Sequence, residues 1–99
     1  MEGGFIQSAS WTMLEEVNFD EYENYSTDWG KYPILSFKDI PEIETVLIDK
    51  PFAPSLGSGE ATQGPTAGAI GNAIFNAIGV RAKKIPFTIE NISEAAANI

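Results

Sequence analysis

From Pro51 to Pro65 the chain reads Pro-Phe-Ala-Pro-Ser-Leu-Gly-Ser-Gly-Glu-Ala-Thr-Gln-Gly-Pro, a run too rich in turn formers to be helix or strand. A loop of that length inside one small domain is functional or disordered rather than a plain connector. It divides the chain into a β-branched segment before it and a Gly/Ala-rich helical pattern after it. At its centre, Gly57-Ser58-Gly59-Glu60 delivers one carboxylate between small residues. Glycine lets a backbone approach a ligand closely, and Pro65 suits the first helical position, which fixes where the loop must end. Glu60 then has two readings: a charge that complements the positive end of the next helix, or a general base held at a loop–helix junction.

The rest of the chain is arranged around this loop. Phe5, Ala9, Thr12, Met13 and Glu16 recur at helical spacing and predict a helix from about Gly3 to Glu16, with a small Ser8-Ala9-Ser10 middle suited to close packing. Val17 to Phe19 reads as the start of a strand, and Asp20 to Asp28 as a solvated acidic loop or hairpin. Tyr32 to Pro41 is an extended connection, because each proline pushes its predecessor out of helical geometry. Ile43 to Ile48 is the clearest strand. Beyond the loop, Ala67, Ile70, Gly71, Ile74, Phe75 and Ile78 form one helical stripe from Pro65, with Gly79 placed for a left-handed cap. Gly68 and Gly71 weaken that helix, which suggests that another backbone or a ligand needs the space. Val80 to Ile85 reads as a short edge strand, and a last helix opens at Thr88, with Thr88 or Asn91 as cap. The predicted class is α+β, a small β-sheet packed by two main helices.

Composition narrows the chemistry. Ninety-nine residues make one domain, and 43% hydrophobic content is enough for a core despite a net charge of -8. Six basic residues against fourteen acidic ones exclude a phosphate-backbone binder, so no nucleic-acid partner is expected. Cysteine and histidine are both absent, which removes disulfides, thiolate nucleophiles, cysteine-held clusters and catalytic triads. Carboxylates are what remain for acid–base work. No apolar run is long enough to span a membrane and no signal peptide opens the chain, so a soluble chain is expected.

Several motifs fail on inspection. Gly57-Ser58-Gly59 lacks the third glycine of a dinucleotide fingerprint, and Gly64-Pro65-Thr66 lacks the lysine of a phosphate loop. Asn24-Tyr25-Ser26 and Asn91-Ile92-Ser93 match the glycosylation sequon without a secretory route to give them meaning. Asp20, Glu21 and Glu23 lack the spacing and central glycine of a calcium loop.

Taken in order, five segments form a pattern: Glu2-Gly3-Gly4-Phe5-Ile6-Gln7-Ser8-Ala9-Ser10-Trp11-Thr12, Tyr32-Pro33-Ile34, Ile40-Pro41-Glu42-Ile43-Glu44, Gly57-Ser58-Gly59-Glu60, and Ala69 to Arg81. This series resembles the C-terminal end of the molybdenum-binding large subunit of the xanthine dehydrogenase/aldehyde oxidase family. Ser8-Ala9-Ser10-Trp11-Thr12, Asp28-Trp29 and Val46-Leu47-Ile48-Asp49 look most like the family's isoquinoline 1-oxidoreductase branch, in its beta chain. The likeness covers nearly all of residues 1–99, which it implies are a single C-terminal segment.

The resemblance implies an oxidoreductase that hydroxylates N-heterocycles or aldehydes with water-derived oxygen. Glu60 would be its general base, with Gly57, Ser58 and Gly59 beside the cofactor. The complete enzyme would hold a molybdenum–molybdopterin cytosine dinucleotide cofactor and pair with an iron–sulfur small subunit. There are departures as well. The family's pterin-contacting glutamine would fall just before Met1, and Ser58 stands where Val or Ala is common. The expectation is therefore a fragment that binds no cofactor by itself, is inert alone, self-associates or joins the remainder of the large subunit, and comes from a parent enzyme whose compartment, periplasm included, is open. The competing reading is a standalone interaction or assembly module that keeps the fold without the chemistry.

Overall fold

The first helix is buried through small side chains. The computed structural model describes residues 1–98. Helix α1, Glu2–Met13, buries Ser8, Ala9, Ser10 and Thr12 and packs against α2, Gln63–Ile78. The buried hydroxyls are mostly satisfied: Ser8 Oγ donates to the Gly4 carbonyl at 2.7 Å, and Ser10 Oγ accepts from the Leu35 N–H at 3.0 Å. Thr12 Oγ1 is buried without a hydrogen-bond partner. The helix stops three residues short of Glu16, which leaves Glu15 and Glu16 off the negative end of its dipole.

Helix α2 begins two residues before Pro65, so the proline is its third residue rather than its first. The position is tolerated because the first turn's N–H groups have no intrahelical acceptor. Thr66 and Gly71 are buried and Ile70 and Ile74 half-buried, whereas Phe75 and Ile78 of the predicted stripe are exposed. Gly79 closes the helix as predicted, with φ at 72° and its N–H on the Phe75 carbonyl at 2.8 Å. The glycines inside α2 do not admit a neighbouring backbone: a Cβ at Gly68 would meet nothing within 4 Å, and one at Gly71 would touch the Phe87 ring at an ordinary 3.5 Å. Helix α3, Ile89–Ala97, is capped by Thr88, whose hydroxyl accepts the Asn91 N–H at 3.2 Å.

The predicted sheet is absent, and α+β is the wrong class. Among the described residues there are three α-helices, one 3₁₀ turn at Phe37–Asp39 and a single isolated bridge between Phe19 and Asn24. Ile43 to Ile48 forms no strand and pairs with no other segment among the described residues, and Ile48 is 81% exposed. β-propensity measures fit to a pleated, half-buried surface, and no neighbouring strand supplies one. Val17 to Phe19 is likewise no strand beyond that bridge. Val80 to Ile85 is not an edge strand either: Val80 and Ala82 are buried and Arg81 and Lys83 exposed, but the segment pairs with no strand among the described residues. Just beyond, the Phe87 N–H donates to the Thr12 carbonyl of α1 at 2.7 Å.

The acidic stretch folds on itself as a solvated turn. Asp20 Oδ1 accepts the N–H groups of Tyr22 and Glu23 at 2.8 and 3.0 Å, and the Tyr25 hydroxyl donates to Asp20 Oδ2. The Tyr25 hydroxyl and the two backbone donors hold the Asp20 carboxyl below its ordinary pKa, and the same contact raises that of Tyr25.

The core is thin for the chain length. Its buried hydrophobic residues are Ala9, Val80, Ala82 and Phe87. The Cα radius of gyration is 16.6 Å, against about 13 Å for an ordinary domain of 100 residues. The surface is 7766 Å², about 2,300 Å² more than the roughly 5,500 Å² that a folded monomer of this mass exposes.

Candidate active-site loop

The loop that carries Glu60 is fastened at the meeting point of α1 and α2. Thr62 is the residue before α2, yet its side chain does not cap that helix; the hydroxyl reaches back to donate to the Met1 carbonyl at 3.1 Å. Gln63 Nε2 makes a longer contact with Gln7 Oε1 at 3.4 Å. Within the loop, the Gln63 N–H donates to the Glu60 carbonyl at 3.0 Å and the Ala61 N–H to the Ser58 carbonyl at 3.4 Å. Successive turns thus run from Ser58 to Gln63 and end directly in the helix.

All four predicted site residues, Gly57, Ser58, Gly59 and Glu60, are exposed on one short loop. Ser58 lines a shallow cleft of about 410 Å³ with Met1, Glu2, Gly3, Thr45 and Leu47. Three segments remote in sequence therefore meet there: the start of α1, the unpaired extended segment, and the loop. A Cβ at Gly57 or Gly59 would meet nothing within 4 Å, so this side of the loop is open. Among the described residues no three His, Cys, Asp or Glu side chains are grouped to hold a metal. A carboxylate and open backbone fit one wall of a cofactor pocket; the enclosing walls and the metal ligands are not among them.

Two other concavities went unread in the sequence. An apolar groove of about 670 Å³ runs along α1 between Ile6, Trp29, Ile34, Leu35, Phe37 and Ile40. Trp29 is exposed there and Phe37 is 96% exposed. Tyr32, whose hydroxyl donates to Glu15 Oε1 at 2.9 Å, ties the connection carrying these residues to the end of α1. The signal for the groove lay in the aromatic and aliphatic residues of the Tyr32–Pro41 connection, which have no periodicity to mark a face. A second cleft holds Arg81, Lys83, Lys84 and Glu94, but two of its cations are engaged: Arg81 donates to Asn72 Oδ1 at 2.7 Å and sits 4.1 Å from the centre of the Phe75 ring, and Lys84 pairs with Glu94 at 3.7 Å.

No family model matches the chain. Over 95 residues it is 41% identical to a nicotinate dehydrogenase subunit of Pseudomonas putida strain KT2440, across 96% of this chain and 8% of that protein. It is 27% identical over 97 residues to the aldehyde oxidoreductase molybdenum-binding subunit PaoC of Escherichia coli K12, across 91% of this chain and 13% of that one. The chain is similar to part of a molybdenum-containing oxidoreductase subunit. A third relative, the membrane-bound aldehyde dehydrogenase [pyrroloquinoline-quinone] of Gluconacetobacter polyoxogenes, is 31% identical over 85 residues and is matched over 11% of its length. The chain thus spans about a tenth of each of these relatives. By name, one of these relatives acts on nicotinate and two on aldehydes, and none is an isoquinoline 1-oxidoreductase. Among the described residues no helix is long and apolar enough to cross a membrane.

Proposed function

We propose that this chain is the catalytic-glutamate segment of a molybdenum hydroxylase acting on N-heterocycles or aldehydes. The supporting observation is the conjunction of 41% identity to a far longer dehydrogenase subunit with about 2,300 Å² of surplus surface. An excess of that size is what an obligate interface covers. Its apolar part includes Leu47, Ile48, Phe52 and Leu56 on the unpaired segment and the groove around Trp29 and Phe37. The occupant is the remainder of the molybdenum-binding subunit, with an iron–sulfur subunit completing the enzyme. Left alone, the chain self-associates through the same surface and is inert.

In that setting Glu60 acts as the general base: a carboxylate oxygen takes the proton released as the water-derived oxygen joins the substrate carbon. The open backbone of Gly57, Ser58 and Gly59 lets a bulky cofactor approach without side-chain interference. The cofactor is the molybdopterin cytosine dinucleotide form, and when bound it supplies the centre that accepts the substrate's two electrons. Nicotinate is itself an N-heterocycle, so the name of the Pseudomonas relative accords with the isoquinoline-type substrate class.

The test is metal analysis and turnover on the chain alone and on the chain assembled with the rest of its subunits. The expected result is molybdenum and oxidation of a pyridine or aldehyde substrate in the assembly, and neither in the isolated chain. Turnover by the isolated chain, or an assembly that carries pyrroloquinoline quinone in place of molybdenum, contradicts it. The exposed apolar surface also suits a standalone assembly module, and a complex devoid of oxidase activity would establish that reading.

A further inference from the structure

We propose that Gly4 is a positioning residue for Glu60, acting through direct contact between α1 and the loop backbone. The inference rests on the reading of Glu60 as the base, although the contact itself does not. Of the nine glycines, Gly4 is the one at which an added Cβ would come within 3.0 Å of another described atom. It would lie 2.8 Å from the Gly59 carbonyl oxygen and 2.7 Å from Thr62 Oγ1. Neither neighbour yields cheaply. The first is backbone, one peptide from Glu60, and the second is the hydroxyl that joins α2 to the Met1 carbonyl.

The geometry of the loop determines where such a displacement goes. The Ala61 and Gln63 N–H groups bond the Ser58 and Glu60 carbonyls, and α2 starts at Gln63. A methyl group at position 4 therefore drives the Gly59 carbonyl outward and carries Glu60 with it, because the turns on its C-terminal side are already closed. A general base works only within hydrogen-bond reach of its proton, and displacement by about 1 Å can cost on the order of 100-fold in rate. Gly68 supplies the control, because it lies inside α2, lines neither the Ser58 cleft nor the apolar groove, and a Cβ there would meet nothing within 4 Å.

The experiment compares Gly4→Ala and Gly68→Ala in the assembled enzyme, each with Glu60 intact and with Glu60→Gln. Nicotinate serves as the probe substrate with an artificial electron acceptor, and hydrogen–deuterium exchange is followed by mass spectrometry on the peptide covering residues 57–63. Gly4→Ala should lower kcat about 10- to 100-fold while KM and molybdenum content hold, and should speed exchange in that peptide. Gly68→Ala should change neither, and on the Glu60→Gln background Gly4→Ala should cost no further activity. Equal exchange and equal kcat in the two glycine variants would overturn the proposal. Failure of Gly4→Ala to assemble or retain molybdenum would also overturn it, in favour of a purely structural role. Should Glu60→Gln keep full turnover, the base assignment falls, while the exchange difference still decides whether Gly4 holds the loop.

Discussion

The junction of α1 with the Gly57–Gln63 loop and the extended segment from Pro41 to Leu56 lie side by side and solve the same problem in opposite ways. At the junction, glycine and small hydroxyl residues bring backbones together, and each element finds partners within the chain: Thr62 to Met1, Gln63 to Glu60, Ser8 to Gly4. Along the extended segment, large apolar residues find no such partners, and Phe52 is 101% exposed. Burying a side chain of the size of Leu, Ile or Phe is worth about 1.5–3 kcal/mol. Leaving several of them in water is a standing cost that a second surface would remove. One region is satisfied within the chain, and the other leaves large apolar side chains in water, which the proposed function reads as half of an interface.

The largest effect expected from this contrast is on the open side. Leu47→Ser with Ile48→Ser should leave the isolated chain within about 0.5 kcal/mol of its starting stability, because both side chains are already in water. In the assembly the same pair should weaken association by roughly 3–6 kcal/mol, readable as loss of co-elution at micromolar concentration. Destabilisation of the isolated chain instead would mean that the segment has internal partners.

Next comes the packed side. Phe87 is buried against Gly71 and its N–H holds the Thr12 carbonyl, so it joins the segment after α2 to both main helices. Phe87→Ala should cost about 3 kcal/mol, measured as a lower urea midpoint of the chain. A cost under about 1 kcal/mol would show that the thin core is not what orders the helices.

The smallest effect falls on the solvated turn. Hydrogen bonds from Tyr25, Tyr22 and Glu23 lower the Asp20 pKa in the folded chain. A lowered carboxylate pKa contributes stability that is present above the unfolded value of about 3.9 and is lost as pH falls through the folded value. Tyr25 works in the other direction, because a raised tyrosine pKa contributes stability that is lost as pH rises through its folded value, above the ordinary 10. NMR titration of the Tyr25 ring should show a transition below the ordinary Asp range that Asp20→Asn abolishes. No change on that substitution would place the cause elsewhere.

Local rules served well wherever one residue decides its own backbone or its near neighbours. Gly79 in the left-handed region and Thr88 as a cap are of this kind, and so is the small Ser8-Ala9-Ser10 face, since each depends on a few adjacent positions. The edge strand read at Val80 to Ile85 failed: Val80 and Ala82 are buried and Arg81 and Lys83 exposed, but alternating burial does not by itself make a strand. Ile43 to Ile48 failed for the related reason that a strand is a property of two segments, and no partner for it lies among the described residues. The tie from Thr62 to Met1 and the approach of Gly4 to Gly59 were illegible, because backbones that meet across more than fifty residues leave no periodic trace. Gly68 faces open space, and Gly71 meets the Phe87 ring at ordinary contact distance rather than another backbone. The glycine that does matter sterically, Gly4, entered only as part of the Glu2-to-Thr12 segment, with no steric role assigned to it. Local composition drew attention to Gly57, Ser58, Gly59 and Glu60, and the family resemblance gave them their roles; all four are exposed on the loop.

The central claim is that Glu60 supplies the base of a molybdenum-dependent hydroxylation once the chain is joined to its missing partners. Turnover and molybdenum content of the assembled enzyme carrying Glu60→Gln test it most directly. The expected result is unchanged metal content with kcat reduced at least about 100-fold, the lower range of what general-base catalysis contributes. Unchanged turnover with full metal content would contradict it.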